Sequence, residues 1–184
     1  MKLLRTIRLD PSDTFVFPVA AEPGEWAVTG SFIFWGRDPA ELTGKERSAF
    51  RAGFVGVDSL GFSTLVVAQP IRPDERLAAV EALARQLLDR FGAPDLEAAR
   101  RAAEEEIAFA MTLAEHEEGT LIALHRSFQN GEMREQYRTL TARERVPGLD
   151  SLHAEARAFS FHEVIEDDEI EERVDLIDMV DKRK

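Results

Sequence analysis

The chain has 184 residues, 44% of them apolar and 32% charged, with 35 acidic against 23 basic side chains and a net charge of −12. That balance is globular rather than disordered and of a length that one domain accommodates, while a field of this sign repels phosphate backbones and so sets aside nucleic acid and anionic membrane surfaces as partners. There is no cysteine, which excludes disulfides, thiolate metal sites, iron–sulfur ligation and cysteine nucleophiles together.

At the start, Leu3, Ile7 and Leu9 alternate with Lys2 and Arg8, with Arg5 the one misfit on the apolar parity, and predict a half-buried strand ended by Asp10-Pro11-Ser12-Asp13. The interleaved charges of Met1 to Arg8 are unlike a signal peptide, and no apolar run approaches the roughly 18 residues that span a bilayer. A cytoplasmic protein is expected. Thr14-Phe15-Val16-Phe17 is a second strand candidate, stopped at Pro18, and Glu22-Pro23-Gly24-Glu25 reads as a turn. Residues 26–35 end in Phe32-Ile33-Phe34-Trp35, apolar on both parities, which predicts a strand in the middle of the sheet covered on both faces.

Thr43 followed by Glu46 has the spacing of a capping box and predicts a short helix over 43–52. Gly53, Gly56 and Gly61 punctuate the next stretch, and Phe62 to Ala68 resumes as a buried strand closed by Pro70 and Pro73. Two helices come next. Leu77, Val80, Ala84, Leu87, Leu88 and Phe91 recur at helical spacing between Pro73-Asp74 and Gly92-Pro94. Asp95 then opens a second helix whose stripe is Leu96, Ala99, Ala103, Ile107, Ala110 and Ala114, with Gly119 beyond it. The alanine face permits close approach, while Arg100/Glu104 and Arg101/Glu105 line the exposed side, and the short link predicts an antiparallel helical hairpin.

Residues 120–141 predict a β-hairpin around Asn130-Gly131. Pairing Gln129 with Glu132 sets Phe128 against Met133, Arg126 against Glu135, Leu124 against Tyr137 and Ile122 against Thr139 on a mostly apolar face. Ser127/Arg134, His125/Gln136 and Ala123/Arg138 then share the polar one. After Pro147-Gly148, residues 156–165 carry a last strand with Phe159, Phe161 and Ile165 on one parity. Residues 168–184 predict a helix with Ile170, Val174 and Ile177 inward. No repeat or linker calls for a second domain.

None of the catalytic templates is met. Asp58-Ser59-Leu60-Gly61 is half of a nucleophile elbow, with Val57 where the first glycine is required, and a turn is the better reading. Gly53, Gly56 and Gly61 match neither phosphate-binding fingerprint, and Gly44-Lys45 is followed by Glu46 where a hydroxyl is needed. The acidic run Glu166 to Glu172 lacks the glycine and alternating ligands of a calcium loop and suits a helix start. Asp150, His153 and Glu155 form an Asp-x-x-His-x-Glu string whose donors suit iron or zinc, but such strings arise by chance in so acidic a chain. No cofactor is expected. Phe32, Phe34, Trp35, Phe54 and Phe62 read first as core.

The stretch from Glu41-Leu42-Thr43-Gly44-Lys45-Glu46-Arg47-Ser48-Ala49-Phe50 through Gly53-Phe54, then Val57-Asp58-Ser59-Leu60-Gly61-Phe62-Ser63-Thr64-Leu65-Val66, resembles an uncharacterised bacterial family known only as a domain of unknown function. Lys2-Leu3-Leu4-Arg5-Thr6-Ile7-Arg8-Leu9-Asp10 is similar to it too. The resemblance covers about a third of the chain, implies a small bacterial cytoplasmic protein and brings no catalytic residue with it.

These readings predict one α+β domain over 1–184, a mainly antiparallel sheet with a helical hairpin and a C-terminal helix packed on it. The function expected is that of a non-catalytic accessory or interaction protein, partnered by another protein or by a second copy of itself. The alternative is a small-molecule-binding protein or enzyme with a pocket near residues 53–63, its polar groups drawn from Asp58, Ser59, His125 and His153, with Trp35 from the aromatic strand.

Overall fold

In a computed structural model the protein is described over residues 1–129, 131–142 and 162–167. Strands β1 (Lys2–Ile7), β2 (Trp26–Val28), β3 (Phe54–Gly56), β4 (Phe62–Ser63), β5 (Leu65–Pro70), β6 (Leu121–Gln129), β7 (Glu132–Ala142) and β8 (His162–Asp167) form one sheet in the order β4-β3-β2-β1-β5-β6-β7-β8. Every neighbouring pair is antiparallel. Helices α1 (Ser12–Val16), α2 (Gly44–Ala52), α3 (Pro73–Arg90) and α4 (Leu96–Leu113) complete the α+β architecture.

Strand β1 sits at the centre, paired along its whole length with β5, Lys2 opposite Pro70 and Ile7 opposite Leu65. Its neighbours Leu3 and Leu4 point to opposite faces and are both buried, as a strand covered on two sides requires. Arg5, the misfit on the apolar parity, escapes to the surface, where its Nε donates to the Gly24 carbonyl at 2.6 Å and its guanidinium lies 5.0 Å from the Trp26 ring centroid. At the β4 edge, the Phe62 N–H donates to the Val19 carbonyl and the Ala21 N–H to the Phe62 carbonyl. The segment before β2 therefore covers that edge.

Three expected strands come out differently. Residues 14–17 lie in or just after helix α1: the Asp10 carboxylate accepts the Ser12 N–H at 2.7 Å and Pro11 fixes the next φ, which nucleates a turn where the apolar run suggested a strand. Residues 26–35 form only the short β2, because Gly30 takes φ +77° and the chain then winds as a 3₁₀ turn over Ser31–Phe34. Phe32 and Phe34 still reach the core, edge-on to Phe91 and Phe50 at 5.1 and 5.3 Å. The expected strand over 62–68 is split at Thr64, whose N–H and hydroxyl both bond the buried Asp13 carboxylate, at 3.2 and 2.6 Å. A side chain on α1 thus takes the place of a ladder partner.

The helices lie close to expectation. Thr43 precedes α2 in extended conformation, but the capping box is absent: its side chain makes no cap bond, and Glu46 pairs with Arg37 at 2.9 Å. Pro73 opens α3, where the Arg72 N–H is taken by Glu75 at 3.0 Å. The buried line of α3 runs Ala79, Val80, Leu83, Ala84 and Leu87, turned from the expected one so that Leu77 faces solvent. Asp95 caps α4 through the Ala98 N–H at 2.8 Å, and Ala99, Ala103, Ile107, Ala110 and Ala114 are fully buried. Small side chains on that face let α4 lie close against β1, β2 and α3. Arg100 crosses to Glu81 of α3 in a bidentate pair at 2.6 and 3.0 Å instead of pairing along its own helix.

The β6–β7 ladder runs from Leu121 opposite Leu140 to Gln129 opposite Glu132, in the register expected from the alternation of its faces. The sheet curls, so that this hairpin meets elements several strands away: Tyr137 of β7 lies 6.4 Å from Phe54 of β3 and 6.1 Å from Phe109 of α4, ring to ring. Strand β8 overlaps the last strand expected over 156–165 at residues 162–165 and runs on through Glu166 and Asp167, so Glu166 pairs in the sheet with Thr139 rather than opening a helix. Residues 156–161 and the expected helix over 168–184 lie outside the described residues. Among the described residues no helix is long and apolar enough to cross a membrane.

Candidate functional site

The glycine-punctuated segment folds into a braced turn. Leu60, at φ +55°, closes it with its N–H on the Gly56 carbonyl, and the Ser59 Oγ accepts the Gly61 N–H at 2.9 Å. Glu25 clasps it from outside, one carboxylate oxygen on the Ser59 N–H at 2.9 Å and the other on the Glu22 N–H at 2.7 Å. Gly61 is obligatory here, since a Cβ would stand 2.5 Å from the Ala21 nitrogen. The Ser59 hydroxyl oxygen is therefore an acceptor within its own turn, and among the described residues no histidine bonds it.

The four expected pocket residues are dispersed. Asp58 lines a cleft of about 160 Å³ between the β3–β4 turn and α3, together with Trp26, Val57, Glu75, Ala78 and Ala79. Trp35, Ser59 and His125 do not line it. Trp35 is 77% exposed just after the 3₁₀ turn, and His125 lies on the outer face of β6 opposite Gln136. The aromatic neighbour of Asp58 is Trp26. Asp150, His153 and Glu155 lie outside the described residues, and among the described ones no group of three metal-ligating side chains converges.

The strongest electrostatic feature surrounds Arg126. Its side chain is fully buried, its Nε donates to Glu135 Oε1 at 2.7 Å, and its two terminal nitrogens donate to the carbonyls of Phe50 and Thr29 at 2.7 and 2.9 Å. The rings of Phe34 and Phe50 lie 5.5 and 5.9 Å from the guanidinium carbon. The other oxygen of Glu135 accepts the Tyr137 hydroxyl at 2.5 Å. Burial, reinforced by the Glu135 charge and by that hydrogen bond, pushes the Tyr137 hydroxyl far above its ordinary range and keeps it a donor.

Glu106 reaches the same region from α4. Its Oε2 is buried without a hydrogen-bond partner among the described residues. Burial first, and the Glu135 charge second, push its carboxyl up to about 7. With Arg126 committed to Glu135, the second carboxyl keeps its proton below about pH 7, where the interior is near neutral. An acid titrating near 7 has the right strength for proton transfer, but Glu106 lines neither the cleft beside Asp58 nor the one at the end of α4, and its buried oxygen faces the Arg126 and Glu135 charges. Glu106 falls between Ala103 and Ala110 on the buried stripe of α4. That position was the one sequence signal of its burial, just as the Arg126/Glu135 match on an apolar face signalled theirs.

Two surface features remain. A larger cleft, about 260 Å³, opens between the end of α4 and the β6–β7 pair, lined by Thr112, Leu113, Glu115, His116, Ile122, Tyr137 and Thr139. At the β4 end of the sheet, Phe15 is 71% exposed on α1, with Val16 and Val19 beside it in sequence and also exposed, while Trp35 stands out from the neighbouring 3₁₀ turn. Both elements are anchored from beneath by the rings of Phe17, Phe62 and Phe34, with successive centroids 5.8 and 6.1 Å apart.

Residues 1–158 match the model of DUF6505, a family of unknown function, and the chain belongs to that family. The match extends well beyond the stretches that carried the resemblance. No curated protein and no solved structure matches the chain.

Proposed function

We propose that this DUF6505 protein is a non-catalytic interaction module, and that it docks a protein partner through the aromatic end of its sheet. The observation that carries the reading is the exposure of Trp35 and Phe15 on elements whose own anchors are buried rings. Leaving a tryptophan and a phenylalanine in water forgoes about 1.5–3 kcal/mol each in burial, and rigidly mounted aromatics of this kind dominate binding energy at protein interfaces. Asp10, Asp38 and Glu41 are exposed on the same segments, while Arg37 is already paired with Glu46. The complementary partner is a protein surface with an apolar pocket and a basic rim. A second copy of this acidic chain fits less well.

Site-specific photo-crosslinking in the native host tests the reading. A crosslinker at position 35 should capture one defined partner, a crosslinker at exposed position 97 should not, and Phe15→Ser should abolish the capture without lowering the melting temperature. Identical products from both positions, or capture that survives Phe15→Ser, would refute it. The small-molecule alternative near residues 53–63 draws support from the cleft beside Asp58, but 160 Å³ is the room of about five waters. Glu75, its other carboxylate, is also occupied with the Arg72 N–H.

A further inference from the structure

We propose that the 260 Å³ cleft between the end of α4 and the β6–β7 pair binds a small organic ammonium, a primary amine carried on a compact apolar body. The site lies apart from the aromatic end and does not depend on it. Its floor is apolar, built from Leu113, Ile122 and the Tyr137 ring. The Tyr137 hydroxyl is turned away to Glu135, so the cleft is offered a ring rather than a donor, a surface on which cations and apolar groups both rest.

Beside the His116 imidazole and the Thr139 hydroxyl, which can each donate or accept, the polar lining supplies acceptors. Glu115 is exposed at the rim, and its carboxylate has no ion-pair or hydrogen-bond partner among the described residues. The Thr112 hydroxyl spends its proton on the Phe109 carbonyl at 2.7 Å and presents only lone pairs. The carboxyl end of α4 adds the negative pole of the helix, and among the described residues neither lysine nor arginine lines the cleft. An ammonium group is the complement, three donors and no acceptor. Outside the cleft itself, the Lys2 ammonium donates to the His116 carbonyl, so a carbonyl just past this helix end accepts an ammonium. An anion would meet Glu115 and the helix end unfavourably, and a neutral alcohol would forgo both. At about 30 Å³ per water-sized unit the cleft holds a ligand of about nine non-hydrogen atoms.

Titration of the isotopically labelled full chain, followed by NMR, tests the proposal with benzylamine, benzyl alcohol and benzoate, which share a ring and differ in charge. Benzylamine should give saturable shifts at Leu113, Ile122 and Tyr137, binding about tenfold or more tightly than benzyl alcohol, with no response to benzoate. Glu115→Gln should remove most of that preference. Thr112→Arg, on an exposed helical position, should tether a cation at the mouth and block benzylamine while the melting temperature holds. Equal affinity for the amine and the alcohol, saturable shifts centred elsewhere, or no saturable response would each overturn it.

Discussion

Arg126→Met keeps much of the side-chain volume of Arg126 while removing its charge and all of its donors. In the native protein that guanidinium serves Glu135, Phe50 and Thr29 at once, from a position with no solvent exposure. Removing one partner of a buried ion pair costs about 3–5 kcal/mol, because the remaining charge stays desolvated and unpaired. The two orphaned carbonyls act in the same direction, about 1–3 kcal/mol for each buried acceptor, not additively with the first. A loss of at least about 3–5 kcal/mol is expected, a fall in melting temperature of about 6–20 °C for a chain of this length. Urea and thermal unfolding at neutral pH measure it. The double variant Arg126→Met/Glu135→Gln separates charge from packing: it should be about 1–2 kcal/mol more stable than the single variant, since the stranded carboxylate is gone. A loss below about 1 kcal/mol in the single variant, or no recovery in the double, would refute the view of Arg126 as a neutralised interior clasp.

Glu106 sets a pH dependence. Its folded pKa, about 7, lies above the ordinary 4.5, so its favourable contribution is full below about 4.5 and disappears as pH rises to about 7, a loss of about 3 kcal/mol. Glu106→Gln should flatten that slope, and parallel stability curves for variant and wild type between pH 5 and 8 would exclude it. Gly30→Ala forces a side chain into φ +77°, with its Cβ 2.1 Å from Val55 Cγ2, whereas Gly36→Ala meets a similar φ of +72° with nothing within 4 Å. Chemical denaturation should show about 1 kcal/mol lost at position 36 and clearly more at position 30, and equal losses would mean that the close approach to Val55 relaxes freely.

The parts of the fold legible in the sequence are those where period and turn chemistry agree. The β6–β7 register followed from alternation on two long strands, and the alanine stripe of α4 from its three- and four-residue spacing. What escaped depends on partners distant in sequence. Nothing within residues 14–17 tells that Asp13 will bond Thr64, and nothing within Phe32-Ile33-Phe34-Trp35 tells that Gly30 must turn left-handed to pass Val55. The candidate sites were harder still to foresee. Asp58 was found at a cleft, but its neighbours come from β2 and α3, and the cleft at the end of α4 is assembled from one helix end and two strands whose residues each look ordinary alone.

The reach of Arg126 also bears on how the chain is made. Its two carbonyl partners, at residues 29 and 50, lie 97 and 76 positions earlier. Synthesis runs from the amino terminus, so both carbonyls leave the ribosome long before the guanidinium that will satisfy them, and β5 emerges with its outer edge still waiting for β6. At about 5–20 residues per second the nascent amino-terminal half spends several seconds in that open condition, and closure of the protein is deferred until the hairpin arrives.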